Sequence, residues 1–291
     1  MTGPVLVTGA AGQLGAELCR TVPEGVRLVA VDIAELDVTD ADAVEACVGA
    51  CRPSLVINAA AFTAVDRAEA EPELAAAVNA GAARLLARAA AHHGARMIQV
   101  STDYVFSGAA AGPWRPSDLP APASVYGQTK RDGELAVLGA LGGQALVIRT
   151  AWLHSAHGAN FVKTMLRLMA GRDVVRVVSD QVGTPTWARE LAVTIWAAAA
   201  VPSLAGVLHW TDAGVASWYD LAVAVQEEAL VRGLLRHAVP VRPIATADYP
   251  TPAARPAYSV LDTTATTAAL HRAPQHWRTN LRTMLDELSH A

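Results

Sequence analysis

Lysine is nearly absent from this chain. Of its 23 basic residues only Lys130 and Lys163 are lysine, and the rest are arginine. Alanine stands far above ordinary usage. Together these report GC-rich coding more than function, and they make the place of each retained lysine worth noting. Cysteine is scarce too. Cys19, Cys47 and Cys51 form no CxxC pair, which excludes a disulfide framework and points to a reducing compartment. Aromatics are missing from the first 100 residues apart from Phe62. Long apolar runs are missing as well. Ile195 to Val201 is stopped by Pro202 and Ser203, well short of a membrane span. The first apolar run, Pro4 to Thr8, is strand-sized and follows no basic segment. A soluble cytoplasmic protein is expected. The net charge of −4 offers no general attraction to nucleic acid or to an acidic membrane, and neither is expected as a partner.

What is present is a chain of 291 residues, 52% hydrophobic and 17% charged, long enough for a large core. Short β-rich runs alternate with alanine-rich helical runs through residue 150. Val5–Val7, Arg27–Val31, Ser54–Asn58, Ala95–Ser101 and Ala145–Arg149 read as strands. Gln13–Val22, Asp40–Cys51, Glu73–His93 and Val125–Leu138 read as helices, with Asp40 as an N-cap and Gly94 closing the third. Such alternation implies parallel strands with helices on both faces, a doubly wound α/β sheet. Later the rhythm loosens. Helices are expected over Asn160–Ala170, Trp187–Ala200, Ser217–Arg232 and His276–Leu288, with short strands at Val174–Val178, Val207–Thr211 and Val241–Ile244. Residues 1–150 are read as a dinucleotide-binding unit to which about 180–205 return. Residues 151–291 are read mainly as a smaller, aromatic-rich α/β substrate region.

The dinucleotide reading rests on Thr8-Gly9-Ala10-Ala11-Gly12-Gln13-Leu14-Gly15, a GxxGxxG run between the first strand and the first helix. Glycine there permits a tight turn, close approach of a pyrophosphate and close helix–strand contact. Free N–H groups at the helix start then hold the anion. The fold expected is Rossmann-like. Asp32 ends the second strand, roughly 20 residues on, where a carboxylate bonds the adenosine ribose. No lysine or arginine lies between Asp32 and Asp40 to meet a 2′-phosphate, which favours NADH over NADPH.

Tyr126-Gly127-Gln128-Thr129-Lys130 places a phenol and an ammonium on one helix face. A free tyrosine titrates at about 10. A nearby ammonium and the oxidised nicotinamide favour phenolate and bring that value down. The phenol would then give its proton to a carbonyl oxygen as hydride reaches the carbon. Ser101 and Thr102, ending the fourth strand, offer a hydroxyl to the same oxygen.

These residues, with Asn58-Ala59-Ala60, resemble the extended short-chain dehydrogenases/reductases. The chain is more closely similar to the dTDP-4-dehydrorhamnose reductase family. The likeness runs through Asn58–Asp66, Ser101–Gly108, Tyr126–Lys130, Arg149–Trp152, Asn160–Met165, Asp180–Thr186 and Tyr249–Pro256. It implies reduction of the C4 ketone of a dTDP-6-deoxy-4-keto hexose by NADH or NADPH. Thr102 would position the ketone oxygen, Tyr126 would be the acid, and Lys130 would hold the ribose and tune Tyr126. Gly9, Gly12, Gln13, Leu14, Gly15 and Asp32 would hold the cofactor. Asp37 and Val38 would touch adenine, and Ala59, Ala60 and Ala61 the nicotinamide side. Thr63, Asp103, Tyr104, Trp152 and Arg255 would face the dTDP-sugar. Related dehydratases place Asp-Glu after the threonine. Here Tyr104 follows Asp103, which favours simple reduction. Some relatives carry Mg²⁺ on glutamates at a homodimer contact, which implies Glu17, Glu190 and Glu287. His92-His93 and His154-x-x-His157 show no convergent partner.

Two departures keep alternatives open. The family has an aromatic and then glycine where this chain has His154 and Ser155. A reductase of a related dTDP-4-keto sugar in antibiotic biosynthesis, such as a dihydrostreptose synthase, would look similar. So would a non-catalytic cofactor-binding subunit like the regulatory β subunit of methionine adenosyltransferase, although intact Thr102, Tyr126 and Lys130 argue against it.

Overall fold

A computed structural model describes residues 3–290. Its frame is a six-stranded parallel sheet in the order β10-β5-β4-β3-β1-β2. The strands are β1 (Val5–Thr8), β2 (Leu28–Val31), β3 (Leu55–Asn58), β4 (Arg96–Thr102), β5 (Ala145–Thr150) and β10 (Gly206–His209). β1, β3 and β5 are wholly buried. That is why they read as unbroken apolar runs and not as alternating ones. Between β1 and β3 the order of strands reverses, and α/β sheets bind ligands beyond the strand C-termini at such a point.

The helices that cover this sheet include α1 (Gln13–Arg20), α2 (Ala41–Cys51) and α6 (Val125–Leu141). Asp40 caps α2 as expected, its Oδ1 accepting from the N–H groups of Asp42 and Ala43 at 3.0 and 3.1 Å. The helix expected over Glu73–His93 is present as one helical run that carries a π turn within it. α3 (Val65–Ala70), which the sequence reading missed, precedes α4 (Pro72–Ala76); a π turn at Ala77–Gly81 follows, then α5 (Ala82–His92). Pro72 has no N–H to donate and therefore starts a new helix. The π turn carries an extra residue per turn and directs Asn79 inward.

The later elements are β6 (Leu153–His154), α7 (Phe161–Gly171), β7 (Val175–Val178), β8 (Val182–Gly183), β9 (Thr186–Trp187), α8 (Ala188–Ala199), β11 (Ala216–Ser217), α9 (Trp218–Val231), β12 (Val241–Ile244), α10 (Thr264–Leu270) and α11 (Trp277–Ser289). α8 packs on α1, and Leu191, Ile195 and Trp196 join the core beneath the sheet. A second core gathers α7, α9, α11 and the paired β7 and β12, with Val162, Met169, Val225 and Leu281 inside it. α10 was not anticipated, because Thr-Ala-Thr-Thr-Ala-Ala-Leu lacks an amphipathic signature. Among the described residues no helix is long and apolar enough to cross a membrane.

Candidate active site

At the C-terminal ends of the strands lie two adjoining cavities, of about 410 and 630 Å³, that share Gly12, Ala59 and Ala61. The smaller is lined by Gly9 and Gly12 after β1, Asp32 after β2, Asp37 and Val38, and Ala59 to Ala61 after β3. The glycine loop is built for close approach. A Cβ on Gly9 would lie 2.6 Å from the Ala60 nitrogen, and one on Gly15 would lie 2.0 Å from the Gly9 carbonyl oxygen. Gly15 therefore packs α1 onto the loop and does not itself line either cavity. α1 starts at Gly12 without a side-chain cap, so its first-turn N–H groups remain available to an anion. Asp32 does two things here. It lines the cavity, and its Oδ2 accepts from the Ala11 N–H at 2.7 Å, which fixes the loop. Among the described residues no basic side chain lines this cavity.

The larger cavity brings together Gln13, Leu14, Thr63, Thr102, Asp103, Tyr104, Tyr126, Lys130 and Trp152. Ser124 caps α6 by accepting from the Gly127 N–H at 3.2 Å, and this helix presents Tyr126 and Lys130. Both are buried. The Lys130 Nζ donates to the Val100 carbonyl at 2.7 Å. Burial pushes Lys130 down to about 8, opposed by Glu134. It pushes Tyr126 up to about 12, opposed by the Thr102 hydroxyl. The lowering of Tyr126 expected from the ammonium is not seen in the protein alone, where desolvation of the phenolate dominates. Thr102 donates to Asp103 Oδ1 at 3.0 Å and accepts from the Tyr104 N–H at 3.2 Å. Burial raises Asp103 to about 6. The Tyr104 ring meets the Tyr126 ring edge-on at 5.4 Å.

Other residues that shape this wall went unnoticed in the sequence. Asn79 accepts from the Phe62 N–H at 2.9 Å, and its Nδ2 donates to the Phe62 carbonyl and Thr129 Oγ1, each at 3.1 Å. It thereby fastens the segment after β3 to the helix bearing Tyr126. Trp218 stacks on Trp152 at 3.5 Å, and both line the larger cavity. The only signal for Trp218 was the aromatic enrichment of the second half.

Several expectations need correction. Arg255 does not line either cavity. Its Nη2 donates to Asp66 Oδ2 at 2.7 Å, and its guanidinium lies 6.0 Å from the Tyr104 ring centre. The three glutamates implied as Mg²⁺ ligands do not gather as a metal set. Glu17 is fully buried and accepts from Arg189 Nε at 2.9 Å and Ser155 Oγ at 3.2 Å. Arg189 also pairs with Glu287, and Arg272 pairs with Glu190. Guanidinium groups thus already neutralise these carboxylates, and the residues do not fit the ion. His92 and His93 do have a convergent partner. Glu45 Oε1 lies 2.8 Å from His92 Nδ1 and 2.8 Å from His93 Nε2.

Known proteins resemble the whole chain. The dTDP-4-dehydrorhamnose reductase of Aggregatibacter actinomycetemcomitans is 40% identical, over 96% of this chain and 97% of its own length. A probable dTDP-4,6-dihydroxy-2-methyloxan-3-one 4-ketoreductase of Streptomyces antibioticus is 47% identical, over 88% of this chain and 85% of its own. The crystal structure of a Bacillus anthracis dTDP-4-dehydrorhamnose reductase in complex with NADP superposes with a TM-score of 0.93, at 35% identity, covering 99% of this chain and 100% of that one. With the RmlD substrate binding domain matched over residues 2–290, the chain belongs to the dTDP-4-dehydrorhamnose reductase family.

Proposed function

We propose that this protein reduces the C4 ketone of a dTDP-linked 6-deoxy-4-keto hexose with NADH or NADPH, the product from dTDP-4-dehydro-L-rhamnose being dTDP-L-rhamnose. The observation that carries this is one continuous cleft, with a glycine-cradled groove at one end and Thr102, Tyr126 and Lys130 on the wall of the other. When bound, the nicotinamide supplies hydride to the carbonyl carbon. Tyr126 supplies the proton to the oxygen. Burial, which holds its phenol at about 12, keeps that proton in place until charge develops on the oxygen beside it. Thr102 sits within reach of the same oxygen as a hydrogen-bonding hydroxyl. Lys130, held by the Val100 carbonyl, supplies a compact positive charge at the ribose side. Thr63, Asp103, Tyr104 and Trp152 hold the nucleotide sugar. The acidic rim of Asp32 and Asp37 disfavours a 2′-phosphate, so NADH is the better donor.

A second reading keeps the chemistry and changes the sugar. The relative named as a 4-ketoreductase of another dTDP sugar favours a related 4-keto hexose. The test is a hydride-transfer assay with NADH and NADPH across a small panel of dTDP-4-keto sugars. The substrate turned over with the highest kcat/KM identifies the sugar. If NADH persists with every member of the panel, the reductase reading fails, and a stoichiometric protein partner recovered by pull-down would favour a regulatory subunit.

A further inference from the structure

His154 lines the larger cavity and is only 1% exposed. Among the described residues neither of its ring nitrogens has a hydrogen-bond partner. Burying such a group without partners is costly, and native folds rarely leave one so. An aromatic hydrocarbon would fill the same space with nothing unsatisfied. Three more buried polar atoms on this cavity, Ser101 Oγ, Asp103 Oδ2 and Thr150 Oγ1, are also unpaired. They lie around Thr102, at and just beyond the C-terminal ends of β4 and β5. Four polar side chains with atoms buried without a protein partner on one cleft mark a wall whose partners arrive with a ligand.

Which part of the ligand is settled by the backbone around His154. The segment that follows it folds back on the phosphate loop. Asn160 Nδ2 donates to Gln13 Oε1 at 3.0 Å, and a Cβ on Gly158 would lie 3.1 Å from Gln13 Cγ. Ser155, the next residue, is tied to Glu17 on α1. His154 therefore leads into the segment that packs on the cofactor loop and α1. Burial holds the imidazole down to about 4. At working pH it is neutral, so it offers one donor and one acceptor, which suits a carboxamide and not a phosphate.

We infer that His154 is a cofactor-binding residue, whose imidazole hydrogen-bonds the nicotinamide carboxamide and fixes the ring for hydride transfer. This rests on the reductase reading above. The experiment measures binding of NADH and of ADP-ribose, which lacks only the nicotinamide, to untagged wild-type protein and to His154→Leu and His154→Asn. His154→Leu is expected to weaken NADH about tenfold and leave ADP-ribose unchanged, with His154→Asn between. If the leucine variant does not fold, His154→Phe carries the same comparison. Unchanged NADH affinity, with or without a higher KM for the sugar, overturns the assignment. So does equal weakening of both ligands, which would mark a structural role. Wild-type protein that binds neither ligand would defeat the reductase reading itself.

Discussion

At the scale of single residues, the site depends on two side chains whose burial sets their chemistry. Tyr126→Phe removes only the hydroxyl, so NADH should still bind while kcat falls by roughly 10²- to 10⁴-fold; steady-state kinetics beside a binding titration checks both. Lys130 is one of two lysines in the chain, and it is buried with its ammonium on the Val100 carbonyl. Lys130→Arg keeps the charge but brings a broad planar fork to a slot that fits a point charge. It should lose most turnover, and near-normal kinetics would show that the retained lysine has no special role. Both residues were legible in the sequence, because YxxxK is a local pattern placed one loop after the fourth strand. Their pKa directions were not, because desolvation comes from every element packed around α6.

At the scale of elements, the π turn between α4 and α5 is where the sequence reading was weakest. The run Glu73–His93 is rich in alanine and looks like one helix. It is helical throughout: Pro72 separates it from α3, and the π turn within it brings Asn79 to Phe62 and Thr129. Asn79→Ala would leave the Phe62 N–H and carbonyl unpaired, at about 1–3 kcal/mol. Since Asn79 joins the Ala59–Phe62 segment to α6, the expected outcome is a lower Tm together with a lower kcat. Thermal unfolding and kinetics on the same preparation test this, and a variant with wild-type kcat would limit Asn79 to stability.

At the scale of the whole molecule, buried ionisable groups tie stability to pH. Asp212 anchors the start of α8, its Oδ2 accepting from the Trp187 N–H at 3.1 Å. Burial raises its carboxyl to about 7. A carboxyl raised in the fold favours the protonated form. Its contribution is therefore complete below the unfolded value of about 4 and is lost as pH rises through 7. Asp212→Asn removes the ionisation. The Tm of the variant relative to wild type should rise between about pH 4 and pH 7 and level off above. A constant difference would show that Asp212 is not protonated in the fold. The buried Glu134–Arg149 pair, bonded at 2.8 and 2.7 Å, behaves differently, since each charge satisfies the other. Glu134→Gln should destabilise by about 3–5 kcal/mol, because it leaves Arg149 buried and uncompensated, and denaturant unfolding measures that loss.

What the sequence determined alone was whatever is encoded within one turn or one short run. The glycine loop, the strand–helix alternation, Asp40 as a cap and the Tyr126–Lys130 spacing all depend on near neighbours, so the backbone follows from the local residues. What only the tertiary structure decided were pairings across the chain. Glu17 meets Arg189 and not a metal, Arg255 meets Asp66 beside the cleft, and His92 and His93 meet Glu45. His154 became informative only when its burial and its unpaired nitrogens were seen together. The physical reason is the same in each case. A charge or a polar atom acquires its role from the partners and the solvent left to it after packing, and those are brought together by segments far apart in sequence.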